Sequence, residues 1–228
     1  MANVEIDGVN SKVYTDQVDP KTGTTLTLGT SGDTVNLGTG VTAGTGMGGD
    51  LSFGGDTFGA DKTIGANDTY ALSFETDGNV AMKIDSGGRI TKPLQPCFAV
   101  YLSTNVTPGS SAATVVWGGE TLDVGSNFAS NTFTAPVDGN YLFNVRVFAE
   151  GLGSEYFKIA IIPSGSQYNH ITTADNESYE PMEYSEIIPL SASDTVTITT
   201  YANNTTYFLQ GTSGSSYHYC TFSGCLLT

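Results

Sequence analysis

The sequence predicts an all-β protein: an N-terminal shaft or anchor of short β-strands, followed by a β-sandwich. Three observations carry this. Hydrophobic residues make up 39% of the 228 and charged residues only 14%, so the polarity comes from Gly, Thr, Ser and Asn, and 28 Gly disfavour helices. No window of a dozen residues keeps helical spacing without a Gly, Pro or β-branched interruption. Residues 131–150, NTFTAPVDGNYLFNVRVFAE, hold a long alternating strand after an Asp138-Gly139 turn. Tyr141, Phe143, Val145 and Val147 fall on one face, with Leu142, Asn144, Arg146 and Phe148 on the other. Both faces carry large side chains, so burial on both sides is expected, with another copy of the chain as the partner.

Residues 1–61 read as an N-terminal arm and a Gly/Thr-rich β region, in which Val4, Ile6, Val9, Val13 and Tyr14 are the candidate anchoring side chains. Leu-Gly-Thr recurs at Leu28 and Leu37, a weak repeat whose short strands need stacking or trimeric winding to bury anything. Residues 44–61 set Gly-Gly-Asp and Gly-Ala-Asp triplets around Phe53 and Phe58. Asp and Gly in short repeats can ligate calcium, but a spacing of six then five departs from the regular β-roll. A Gly-rich turn segment with two aromatic anchors is the plainer reading, so no cofactor is assigned and calcium is the one ion considered.

Residues 62–96 read as a β-meander and a Pro-rich joint. Tyr70, Leu72 and Phe74 form one strand, Val80, Met82 and Ile84 the next, with Asp77-Gly78 between them and Ser86–Gly88 turning the chain toward Ile90. Lys92–Pro96, KPLQP, is the best candidate boundary. From 97 to 228 ten strands are predicted, at 98–103, 113–117, 121–124, 132–134, 140–149, 155–162, 184–190, 194–202, 206–210 and 217–227. Loops are predicted at 103–112, 163–183 and 202–217. That density indicates a sandwich or jelly roll.

A formal charge of −15, from 23 acidic and 8 basic residues, repels phosphate backbones and argues against nucleic acid as a partner. MANVEIDGVNSK has no basic n-region or apolar h-region, so no secretory signal is expected, and no apolar run is long enough for membrane insertion. Three cysteines do not make a disulfide framework. A bridge from Cys97 to Cys220 or Cys225 is conceivable if the first and last strong strands pair, but buried free thiols, as in a reducing cytoplasm, are the expectation.

Several strings of the second half together resemble the complement C1q-type globular head, the tumour-necrosis-factor-like jelly roll. They are Phe98-Ala-Val-Tyr101, Val115-Val-Trp117, Asp123-Val-Gly-Ser-Asn-Phe128, Phe133-Thr-Ala-Pro-Val-Asp-Gly-Asn-Tyr141-Leu-Phe143, Leu190-Ser-Ala-Ser-Asp-Thr-Val196 and Phe222-Ser-Gly-Cys-Leu-Leu227. Two positions depart from that pattern: Ser193 stands where the family usually has Gly, and Cys225 replaces a usual aromatic. The resemblance implies a homotrimer in which each jelly roll buries one sheet around a threefold axis. Phe98, Tyr101, Phe133, Tyr141, Phe143, Phe222 and Leu226 are then core or interface residues, and Lys158 and Arg146 neutralise acidic neighbours near the axis. Met82 to Phe98 is similar to the joint between shaft and head in fibre-like virion proteins of tailed bacteriophages. That likeness implies assembly in a host cytoplasm, a place on the virion surface, and other virion proteins (capsid or tail) as partners of the N-terminus.

Catalytic chemistry is not expected. His170 and His218 are the two histidines, and neither a nucleophile elbow nor a zinc-spaced pair occurs. Asp175, Glu177, Glu180, Glu183 and Glu186 could in principle hydrolyse a glycan, but they fall in a predicted loop that preorganises them poorly. Tyr168, His170, Tyr179 and Tyr184, among Asn and Ser, are the candidate receptor-facing loop for a host-surface glycan or protein. The function expected is a trimeric short fibre, spike or head appendage displaying its head for host binding. The alternative is a capsid decoration or cement protein without a receptor, and glycan depolymerase is a third reading.

Overall fold

The computed structural model describes residue 61 and residues 63–108, 111–153, 156–173, 179–203, 206–212 and 217–228. The anchoring residues Val4 to Tyr14, the Leu-Gly-Thr repeat and the Asp/Gly triplets before Asp61 lie outside the described residues. Thr63–Thr228 form one unit, and it contains no helix among the described residues.

The meander forms as predicted. Strands β1 (Leu72–Thr76), β2 (Asn79–Ile84) and β3 (Ile90–Thr91) pair antiparallel in that order. Asp77 and Gly78 both have positive φ, 50° and 72°, as a two-residue primed hairpin turn requires. The Asp85 carboxylate accepts from the amides of Gly87 and Arg89 at 2.8 and 3.0 Å and from Arg89 Nε at 2.7 Å, which ties the second turn. The Arg89 amide and guanidinium hold the Asp85 carboxyl below the usual carboxylate range.

The remaining strands are β4 (Cys97–Tyr101), β5 (Ala113–Thr114), β6 (Gly119–Val124), β7 (Phe128–Ala129), β8 (Thr132–Thr134), β9 (Gly139–Glu150), β10 (Tyr156–Pro163), β11 (Tyr168–Thr173), β12 (Tyr179–Leu190), β13 (Thr195–Ala202), β14 (Phe208–Leu209) and β15 (Thr221–Leu226). The front sheet runs β12-β9-β15-β4-β6, with β14 on the end of β9. The back sheet runs β11-β10-β13-β8-β7, with β5 on β13. The chain crosses between sheets from β9 to β10, from β11 to β12, from β12 to β13 and from β13 to β14. This is a jelly-roll sandwich.

The core follows from the alternation of β9. Tyr141, Phe143, Val145, Val147 and Ala149 are fully buried. Phe98 packs on Phe133 and Phe222 with centroids 4.9 Å apart in each case, and Phe133 meets Tyr141 at 5.5 Å. Tyr141 Oη donates to the Val137 carbonyl at 2.8 Å, and burial raises its pKa. The closing Phe-Ser-Gly-Cys-Leu string needs its glycine here: a Cβ on Gly224 would sit 2.6 Å from the Phe143 ring and 2.8 Å from that of Phe98. In the Asp123–Phe128 string the Asp123 carboxylate accepts from the amides of Asn127 and Phe128, at 2.9 and 3.0 Å, around left-handed Gly125 and Ser126.

Within one chain the outer face of β9 is open: Leu142 is 39% exposed and Asn144 is exposed, because no layer of the described residues covers the outer side of the front sheet. Two expectations are corrected. The stretch predicted as a loop at 163–183 holds strand: Pro163 ends β10, Tyr168–Thr173 form β11, and β12 begins at Tyr179. The thiols are not all free, because β4 and β15 pair with Cys97 directly opposite Cys225 and the two form a disulfide. Cys220 remains free and buried, and burial pushes its thiol up to about 11.

Two substitutions test this packing by thermal unfolding. Gly224→Ala overpacks the aromatic cluster and should cost about 1–3 kcal/mol; an unchanged melting temperature would contradict the contact. Ser193 has φ 74°, which explains the glycine of the resembling pattern. Ser193→Gly should relieve left-handed strain and, net of glycine's extra chain entropy, stabilise by about 0.5–1 kcal/mol.

Candidate functional site

Two surfaces gather the residues singled out in the sequence. The first is the outer face of the front sheet, where register sets alternate residues in rows. Ile187, Leu142, Cys225, Cys97 and Val124 form the row nearest the joint. Ser185, Asn144, Ser223, Ala99 and Leu122 form the next, with Asn144 Nδ2 donating to Ser185 Oγ at 2.7 Å. Glu183, Arg146, Thr221, Tyr101 and Gly119 form the third.

Beyond these rows, at the end of the sheet away from the joint, rings stack. Tyr179 lies 5.4 Å from Phe148, Phe148 5.6 Å from Tyr219, and Tyr219 6.4 Å from Tyr217. Tyr101 and His218 approach to 3.9 Å. A cleft of about 420 Å³ lies among Arg146, Phe148, Pro181, Tyr217, His218 and Tyr219. Arg146 Nη2 donates to the His218 carbonyl rather than pairing with a carboxylate; among the described residues the ion pair formed is Asp85–Arg89. Lys158 lies on the back sheet, 5.9 Å from the Tyr201 ring. The two cations therefore do not share a site.

The second surface is the open edge of the sandwich between β11 and β12. Tyr168 and His170 stand opposite the buried Ile161 and Ile159 of β10, so both lie on the inward side of β11. His170 stacks on Tyr184 at 5.5 Å, and Tyr184 Oη donates to Glu186 Oε2 at 2.8 Å. Three of the four candidate receptor residues therefore belong to this edge, on strands and not in a loop. Tyr179 belongs to the front-sheet face.

The carboxylates are also on a strand. On β12, Glu180 and Glu186 share the inward side with the buried Met182 and Ile188, whereas Glu183 points outward. Opposite sides of one strand do not make a facing acid–base pair. Asp175 and Glu177 lie outside the described residues. No group of three or more His, Cys, Asp or Glu able to hold a metal occurs among the described residues. Of the residues the resemblance assigns to core or interface, Phe98, Phe133, Tyr141, Phe143 and Phe222 are fully buried inside the sandwich. Leu226 packs half-buried against that core, and Tyr101 is half-buried on the outer face.

The edge cluster has a titratable marker. Burial, and then the bond to Glu186, push the Tyr184 phenol up to about 12 from an ordinary 10.0. The folded value lies above the unfolded one, so the stability linked to neutral Tyr184 is complete below pH 10 and is lost as pH rises toward 12. Tyrosinate difference absorbance should show a set of late-titrating tyrosines, buried Tyr141 and Tyr207 among them, from which Tyr184→Phe removes one; identical titrations of the two chains would contradict the geometry.

No protein-family model matches the chain, and no curated protein does. Among solved structures, the globular domain of zebrafish complement 1qA is similar over 58% of this chain and 98% of its own, at 17% identity and a TM-score of 0.45. Murine APRIL at pH 8.5 is similar over 58% of this chain and 99% of its own, at 13% identity and a TM-score of 0.45. The jelly-roll assignment rests on the strand order described above.

Proposed function

We propose that the chain is a homotrimeric structural protein of a bacteriophage virion, a short fibre, spike or head appendage whose jelly roll is displayed from the particle. The observation that carries self-association is the uncovered outer face of the front sheet. Ile187 and Tyr179 are 54% and 49% exposed there, in line with Leu142 and the stacked Phe148 and Tyr219. Apolar surface at the end of this face near the joint and aromatic surface at the other end, with the polar Ser185, Asn144 and Ser223 between them, is the kind of surface a second copy covers. With that face occupied, Tyr168, His170 and Tyr184 remain as the group offered to a host-surface glycan or protein.

The virion setting draws its support from the Met82–Phe98 string. In the fold that string runs from β2 through β3 and the joint into β4. The N-terminal residues are assigned to attachment. A decoration protein that cements the shell is the second reading, favoured by the strongly acidic and sparsely charged composition that suits high copy number.

Light scattering of the full chain should give three times 23.8 kDa. Leu142→Glu combined with Ile187→Glu should give a folded monomer, since both side chains are exposed in the single chain. A monodisperse wild-type monomer would sink the proposal. Averaged electron images of the particle then separate the two readings: few copies at the tail or one vertex favour host attachment, and many copies over the shell favour cement.

A further inference from the structure

We propose that the neck self-associates as well as the head: the apolar face of the meander is covered by the meanders of the second and third copies. The register sets this face. Leu72 stands opposite Ile84, Ile84 opposite Ile90, and Phe74 opposite Met82, so these five side chains share one side. Ser73, Lys83 and Thr91, also mutually opposed, occupy the other. The first set is apolar and uncharged and the second is polar.

Within one chain the apolar face is only partly covered: Leu72, Met82 and Ile84 are half-buried, with residues 64–70 beside Leu72 and Ile84, while Phe74 is 45% and Ile90 62% exposed. The meander residue that lines the cleft against Val124, Pro136 and Val137 is Ala81, the unpaired residue of a bulge, and none of the five lines it. Three strands of five, six and two residues do not hold together in water without something packed on their apolar side.

The occupant follows from connectivity, and here the inference rests on the head self-association proposed above. The joint from Lys92 to Pro96 spans at most about 17 Å, and it is pinned to the head where Gln95 Nε2 donates to the Leu226 carbonyl at 2.6 Å. It delivers the chain to Cys97 of β4, whose outward residues belong to the face assigned to self-association. Copies that share that face hold their necks within one joint's length of each other, at an effective concentration in the millimolar range. An uncharged apolar face is also the part of so acidic a chain that another copy can approach without repulsion.

Cysteine scanning of the full-length chain tests this. Cys97 and Cys225 are bridged and Cys220 is buried, so the background of free surface thiol is low. Under mild oxidation Phe74→Cys should convert to covalent dimers, whereas Ser73→Cys, one residue along on the opposite face, should stay single. Ile90→Cys is the second probe in case the loss of Phe74 unravels the neck. If scattering still gives a trimer but neither Phe74→Cys nor Ile90→Cys cross-links, or if Ser73→Cys cross-links equally, the neck proposal is overturned and the head trimer stands. A monomeric wild-type chain overturns both.

Discussion

The fold depends on the missing side chain at Gly224. Strand β15 lies between β9 and β4, and Phe143 and Phe98 close over it from the two sides. A methyl group there would force the rings apart. Phe98 also holds Phe133 of the back sheet, so the contact that fixes the strand spacing of one sheet fixes the distance between both. Where a jelly roll stores its last strand in the middle of a sheet, that strand must be thin on its inner face, and this one is.

Local turn chemistry and period-2 patterning are what the sequence makes legible. The meander, β9 and β13 were all readable, because Asp77-Gly78 and Asp138-Gly139 are strong turns and the strands between such turns alternate cleanly. The stretch 163–183 was not readable. Polar Asn169, His170 and Thr172 hide β11, and Pro181 with its acidic neighbours reads as loop. The structure explains the tolerance: β12 is the edge strand of the front sheet, where a proline gives up no ladder bond that the sheet needs. The edge cluster of His170 and Tyr184 was legible as composition but not as a place, because its members come from strands of different sheets.

The cysteines show a related limit. An odd count argued against a framework, and the pairing of Cys97 with Cys225 depends on the register of two strands 128 residues apart in sequence. The substitution of Cys225 for a usual aromatic was the available signal. It marks an outward position of the front sheet, where an aromatic would contribute surface and a cysteine contributes a bond instead.

That bond changes how the head bears load. A pull on the chain before Pro96 would ordinarily peel β4 from its neighbours one hydrogen bond at a time. Here the first residue of β4 is covalently joined to β15, which is itself laddered to β9. Force entering at Cys97 therefore passes at once to β15 and, through its ladder, to β9, and the chain between the two cysteines is not drawn out end to end until the bridge is reduced.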